Sequence, residues 1–184
     1  MTTAEMDRAK QNVAAAEEAV AAAIAGLTDA QWHFKESPDR WSIAQCVEHM
    51  TIVNELVTGP IRMALLQAPP ATNPAPDQVI LERIPAREQR FPAPPTAIPT
   101  GAANPADALA RLRKAARGLI EYLEATPDAR DHAISSPPLK AISGGQYELM
   151  DGYQWVLAAA GHMRRHTAQA LEVKAHPAFP QDRS

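Results

Sequence analysis

The sequence predicts an all-α protein, a four-helix bundle with one long crossover, and three observations carry that expectation. Alanine, the strongest helix former because it has no side-chain entropy to lose, supplies 37 of the 184 residues. Apolar residues recur at three- and four-residue steps in four long stretches, the period of a helix with one buried face. Ten of the 17 prolines fall between Pro69 and Pro105. A proline inside a helix costs about 3 kcal/mol, so the region 68–104 reads as a connection between the second and third helices. Two helices on either side are too few to fold alone, and 1–184 therefore reads as a single domain whose long connection is functional or peripheral.

Helix one is expected to begin at Thr2, where Thr2-x-x-Glu5 forms a capping box, and to run to Gly26, with Met6, Val13, Val20, Ile24 and intervening alanines facing inward. A second box, Thr28-x-x-Gln31, predicts a short turn bearing Trp32 and Phe34, ended by Ser37-Pro38-Asp39. Helix two opens on the strongest local signal, Ser42-x-x-Gln45 directly after Trp41, and carries Ile43, Cys46, Val47, Met50, Val53, Val57 and Ile61 on its inner face. Gly59-Pro60 predicts a kink near its end. Helix three presents Leu109, Leu112, Ala116, Leu119, Ile120 and Leu123, and stops at Thr126-Pro127. Helix four is expected from about Gln146 to Lys174, closed by His176-Pro177. The best strand candidate, Gln78 to Ile84, is weak.

Composition narrows the function classes. With 18 Lys+Arg against 21 Asp+Glu and a formal charge of −3, the chain has no basic run of the kind that binds nucleic acid by counterion release. Its lone cysteine, Cys46, cannot form an internal disulfide. No stretch approaches the roughly 18 to 20 apolar residues of a membrane span, and the first residues lack the basic-then-apolar order of a signal peptide. The expectation is a cytoplasmic protein without nucleic-acid or membrane partners.

Three of the six histidines fall on predicted helices: His49 on helix two, His162 and His166 on helix four. Residues four apart stand one above the other, so His162 and His166 can address one atom. On a helical wheel Leu149, Gly152, Val156, Ala159, Ala160, Met163, Thr167 and Ala170 share an apolar sector, while Asp151, Gln154, Arg165, Gln169 and Glu172 lie opposite. The histidine pair sits beside Trp155 on the flank of the apolar sector, and His49 lies among Cys46, Val53 and Leu56. Imidazoles so placed must be hydrogen-bonded, solvated or coordinated, since a buried nitrogen without a partner costs about 1 to 3 kcal/mol. Three nitrogens with open positions describe a catalytic rather than a closed structural metal site. The alternative is ordinary histidines at the bundle margin, each paired with a carboxylate such as Glu48 or Glu148. Spacing does not show that helices two and four are neighbours.

Trp41-Ser42-Ile43-Ala44-Gln45-Cys46-Val47-Glu48-His49-Met50 resembles the first signature of the DinB-like (DinB/YfiT) superfamily, and Gly161-His162-Met163-Arg164-Arg165-His166 resembles its closing motif. The likeness spans nearly the whole chain, including the Trp32 turn and the long connection. It implies an up-down-down-up four-helix bundle, often dimeric, holding a divalent ion on His49, His162 and His166. Related families include thiol-dependent enzymes, among them mycothiol-dependent maleylpyruvate isomerase and bacillithiol transferases.

The function expected is that of a metal-dependent hydrolase or thiol-dependent S-transferase using Zn, Ni or Fe on those three histidines, the transferase with a low-molecular-weight thiol as cosubstrate, acting on a small molecule as a homodimer. Its pocket is expected to be shaped partly by the 68–104 connection. Two other readings stand beside it, a non-catalytic dimeric bundle and a small-molecule binding module. His33, His132 and His176 are expected at the surface, Cys46 as a small buried residue, Tyr153 and Trp155 in packing, and Arg165 in solvent; Arg164 is undecided.

Overall fold

The computed structural model describes residues 1–89 and 91–181. Helix α1, Thr3–Ile24, is opened by both halves of the Thr2/Glu5 capping box and buries Ala9, Val13, Ala16, Val20 and Ala23. These alternate four- and three-residue steps, so a line of small and branched side chains runs down one face. Helix α2, Asp29–His33, is a short element capped by Thr28 that buries Trp32 completely. Helix α3, Ile43–Leu56, starts at the Ser42/Gln45 box, widens into a π turn at Val57–Ile61 and ends as α4, Arg62–Leu65. The expected irregularity at Gly59-Pro60 takes this form because Pro60 has no N–H and its ring would strike the carbonyl four residues back, which a wider turn relieves. There follow α5, Asp77–Arg83, a 3₁₀ turn at Pro95–Ala97 and α6, Pro105–Glu124, with Asn104 as cap and Pro105 at its first position.

Contacts between named residues give the direction of each long helix. Lys10 pairs with Glu124 and Glu17 with Arg113, so α1 and α6 are antiparallel. Thr58 lies against Gly118 and Arg62 over the Tyr122 ring, so α3 and α6 run the same way. The last long helix, α8, Gly152–Lys174, is parallel to α1, since Lys174 donates to the Ala23 carbonyl while Arg130, beside the α8 cap Asp151, pairs with Glu5. His49 meets His162 and Asn54 meets Met163, which sets α3 beside α8. The bundle is up-down-down-up, and the long crossover is the link that lets α3 and α6 run parallel.

Three readings of the sequence are corrected. Gln78 to Ile84 is not a strand but belongs to α5, whose completely buried Ile80 packs in the core; the β-branched residues resembled a strand because the segment is only two turns long. Helix four does not begin near Gln146. The chain first forms a ribbon, β1 Ala133–Ser135 antiparallel to β2 Leu149–Asp151, enclosing a short helix α7, Pro137–Ile142. Asp151 and Gln154, placed on the polar side of the wheel, are each 1% exposed, because Asp151-x-x-Gln154 is itself the capping box of α8.

Arg130 joins the pieces at this end of the bundle. Its guanidinium reaches Asp77 at 2.6 Å, Asp151 at 3.0 Å and Glu5 at 2.7 Å, and lies 4.1 Å above the Tyr153 ring. It thereby ties the starts of α1, α5 and α8 together. Gly152 completes the junction: a Cβ there would lie 2.2 Å from Tyr122 Oη and 2.8 Å from the Ala129 carbonyl, so only glycine admits this close approach.

Candidate metal centre

The three helix histidines converge. One ring nitrogen from each of His49, His162 and His166 lies within 4.8 Å of the others, and the ring centroids are 4.9, 4.7 and 4.4 Å apart. Antiparallel α3 and α8 bring them together, and Trp41, the residue before the α3 cap, covers the group with its ring 4.7 Å from His49 and 5.8 Å from His166. His49 is 4% and His166 8% exposed.

Two of the rings have their tautomer set. His49 Nδ1 is 2.7 Å from the Ala97 carbonyl, which can only accept, so Nδ1 carries the proton and Nε2 the lone pair. His166 Nδ1 lies 2.9 Å from Gln169 Oε1, with the same result. His49 Nε2 then faces His162 Nε2 at 3.2 Å. Two lone pairs at that distance repel, so a proton or a cation must lie between them. His162 Nδ1 is buried without a partner in either case, as an acceptor if Nε2 carries the proton and as a donor if Nε2 ligates a cation. The spacing suits a metal ligand set: tetrahedral Zn–N bonds of about 2.0–2.1 Å place two nitrogens roughly 3.3 Å apart.

Electrostatics keep the set neutral. Burial pushes the pKa of His49 down despite the Ala97 hydrogen bond. His162 is held well below the usual range by burial and then by its two histidine neighbours. His166 is held down to about 3, chiefly by burial and by His49. Neutral imidazole is the form that ligates.

The crossover packs on α8 beside the site. Ile84 and Pro85 lie against Gly161, where a Cβ would meet Ile84 at 3.2 Å. Arg87 pairs with Glu172 at 2.6 Å and donates to the Arg165 carbonyl, and Arg165 donates to the Gln89 carbonyl beneath the Phe91 ring. Arg165, expected in solvent, is thus half-buried under the crossover. Arg164 has Nε and Nη2 buried without partners. Trp41 lies against the rings and the crossover reaches them through the Ala97 carbonyl, while a surface groove lies elsewhere, between α1 and α6 beside Val13, Ala116 and Ile120.

The carboxylates proposed as histidine partners lie elsewhere. Glu48 binds the backbone of Thr100 and Gly101, and Glu148 binds Lys140 and Ser135. Cys46 is completely buried, and burial pushes its thiol up to about 12. His33 is exposed, His132 bonds the Ala68 carbonyl and His176 packs on Phe34. The sequence reading missed Ala97 and Gln169 as partners that set the rings. A backbone carbonyl leaves no mark in a sequence, and Gln169 at three residues past His166 was visible only as a polar position.

Comparisons with known proteins agree with this architecture. A solved structure from Bacillus subtilis, YfiT, is described as "a probable metal-dependent hydrolase with an unusual four-helix bundle topology". It shares 16% identity and superposes with a TM-score of 0.62 over 95% of this chain and 89% of that one, which shows a common fold. No curated protein matches the sequence. The model of the DinB superfamily matches residues 13–170, from within α1 to the last turns of α8. With most of its length matched, the chain belongs to the DinB superfamily.

Proposed function

We propose that His49, His162 and His166 bind one divalent ion, zinc, nickel or iron, and that the protein is a metal-dependent hydrolase of small molecules. The observation that carries this is the facing of Nε2 atoms of His49 and His162 at 3.2 Å with His166 alongside. Three imidazoles leave coordination positions for solvent and substrate, and a divalent ion so held supplies water acidified towards neutral pH and a polarised carbonyl. The residues of this chain hold and shield: Ala97 and Gln169 orient two rings, and Trp41 excludes bulk water on one side. Arg165 places positive charge beside α8, near His162 and His166, which suits an anionic group on the substrate; Arg87 is already paired with Glu172. Hydrolysis is favoured because the fold relative YfiT carries that description. A thiolate in place of water would make the protein an S-transferase; the thiol would come from a cosubstrate, since Cys46 is buried and protonated. The reading carries with it the expectations of a cytoplasmic setting and a homodimer.

Near-complete burial of His49 and His166 favours a second reading, a binding module or dimeric scaffold without turnover. A panel of esters, amides and lactones, assayed with and without low-molecular-weight thiols, separates the two. The expected result is metal-dependent hydrolysis that falls at least about a hundredfold on chelation and returns with added zinc, nickel or iron. Turnover that survives chelation contradicts the proposal, and product formation only with thiol present redirects it to transfer.

A further inference from the structure

Glu48 stands immediately before His49, yet it does not pair with an imidazole. Its Oε2 accepts the backbone N–H of Thr100 at 2.7 Å and that of Gly101 at 2.5 Å, and the Thr100 hydroxyl reaches the same carboxylate. The segment it holds begins at Ala97, whose carbonyl bonds His49 Nδ1, and ends at Ala103, whose carbonyl accepts from the indole of the buried Trp32. Seven residues of irregular chain are therefore clamped at three points onto α2 and the first turns of α3. Gly101 makes the middle clamp possible. It has φ +76°, and a Cβ there would lie 2.8 Å from Gln45 Cγ, a side chain immobilised by its bond from the Ser42 N–H. Only glycine lets this backbone come close enough for both N–H groups to reach Glu48.

We infer that Glu48 is a positioning residue for His49, acting through the backbone of residues 97–101 to keep the Ala97 carbonyl against Nδ1 and so to aim Nε2 into the three-histidine site. The inference rests on the metal-site reading for its functional meaning. The geometry itself concerns the metal-free ring. A free connection would leave His49 able to exchange Nδ1–H for Nε2–H, which turns a ligand atom into a donor; outer partners of this kind are worth about 10- to 100-fold in metal affinity. The bond needed is from backbone N–H to an oxygen, and charge is not required. Glutamine, its carbonyl oxygen set where Oε2 lies, keeps both backbone bonds. Alanine keeps neither.

The test uses full-length protein and the variants Glu48→Gln, Glu48→Ala and Gly101→Ala, with Glu55→Ala, exposed on the same helix, as a charge-matched control. Histidine ring ¹⁵N spectra of metal-free protein report the His49 tautomer, and titration with Co²⁺ reports affinity. The expected result is an Nδ1–H His49 in wild type, E48Q and E55A. A mixed tautomer and a 10- to 100-fold weaker Co²⁺ site are expected in E48A and G101A. Wild-type tautomer and affinity in E48A overturn the inference, as does an equal loss in E48Q and E48A, which would make charge the cause. Should wild type take up no Co²⁺, the metal reading fails by itself. The ¹⁵N spectra still decide the positioning role, because a single tautomer in E48A contradicts it without any metal.

Discussion

Replacing Arg130 with alanine is expected to destabilise the protein by about 3–5 kcal/mol, the range seen when one partner of a buried ion pair is removed. The magnitude follows from what is left behind. Asp151 has a side chain 2% exposed, and burial already pushes its pKa up, in spite of the Gln154 N–H and Arg130. Asp77 shares the same guanidinium but is less buried; there the hydrogen bonds from Arg130 and Gln154 outweigh the upward push of burial and hold it low. Without Arg130, two carboxylates would face each other across the junction of α5 and α8. The sign of the pH dependence tells this apart from a simple packing loss. In the variant the folded pKa of Asp151 lies further above its unfolded value, so the folded state binds the extra proton, and stability is regained as pH falls through that pKa. Urea denaturation of wild type and R130A at pH 7.5 and 5 should therefore show a smaller gap at the lower pH. A gap below about 1 kcal/mol, or one that widens with acid, contradicts the role given to this residue.

Metal binding is the second large expected effect. An ion that binds only the folded chain stabilises it by RT ln(1 + [L]/Kd), about 4 kcal/mol at a thousandfold excess over Kd. The gain should vanish in a His162→Ala/His166→Ala variant. Metal-free protein should behave differently with pH. His166 is held down to about 3 when folded against about 6.5 unfolded, so below pH 6.5 the unfolded chain binds a proton that the folded chain does not. Stability is unaffected above that value and declines as pH falls from about 6.5 towards 3, by on the order of 1 kcal/mol per pH unit for this residue. Chemical denaturation of stripped and reloaded protein at pH 7.5 and 5.5 measures both quantities. Equal stability with and without metal at pH 7.5 contradicts the account.

How legible these features were depended on the range of the interaction behind them. Capping boxes at Thr2, Thr28 and Ser42 are local devices, and each was readable from four residues. The box at Asp151 was equally local, but it was read as the polar face of a longer helix, because Gln146 to Met150 contains no proline to interrupt the pattern. The ribbon formed there depends on a partner strand at 133–135, a pairing that no window of sequence contains. At the candidate site the histidines were legible because they sit at helical spacing beside apolar stripes. Their neighbourhood across α3 and α8 came from the family likeness and not from the wheel. The Ala97 carbonyl and the fold of the crossover over Arg165 were illegible, since backbone groups and proline-rich chain carry no side-chain code for what they touch.

The central claim is that three imidazoles from two antiparallel helices share one ion. Metal content of freshly purified wild type, H49A and H162A/H166A, with X-ray absorption at the metal edge, tests it most directly. The account expects close to one ion per chain in wild type, bound by about three imidazole nitrogens at roughly 2.0–2.1 Å if it is zinc, and little or none in the variants. Equal metal in wild type and H162A/H166A, or a first shell without imidazole, would contradict it.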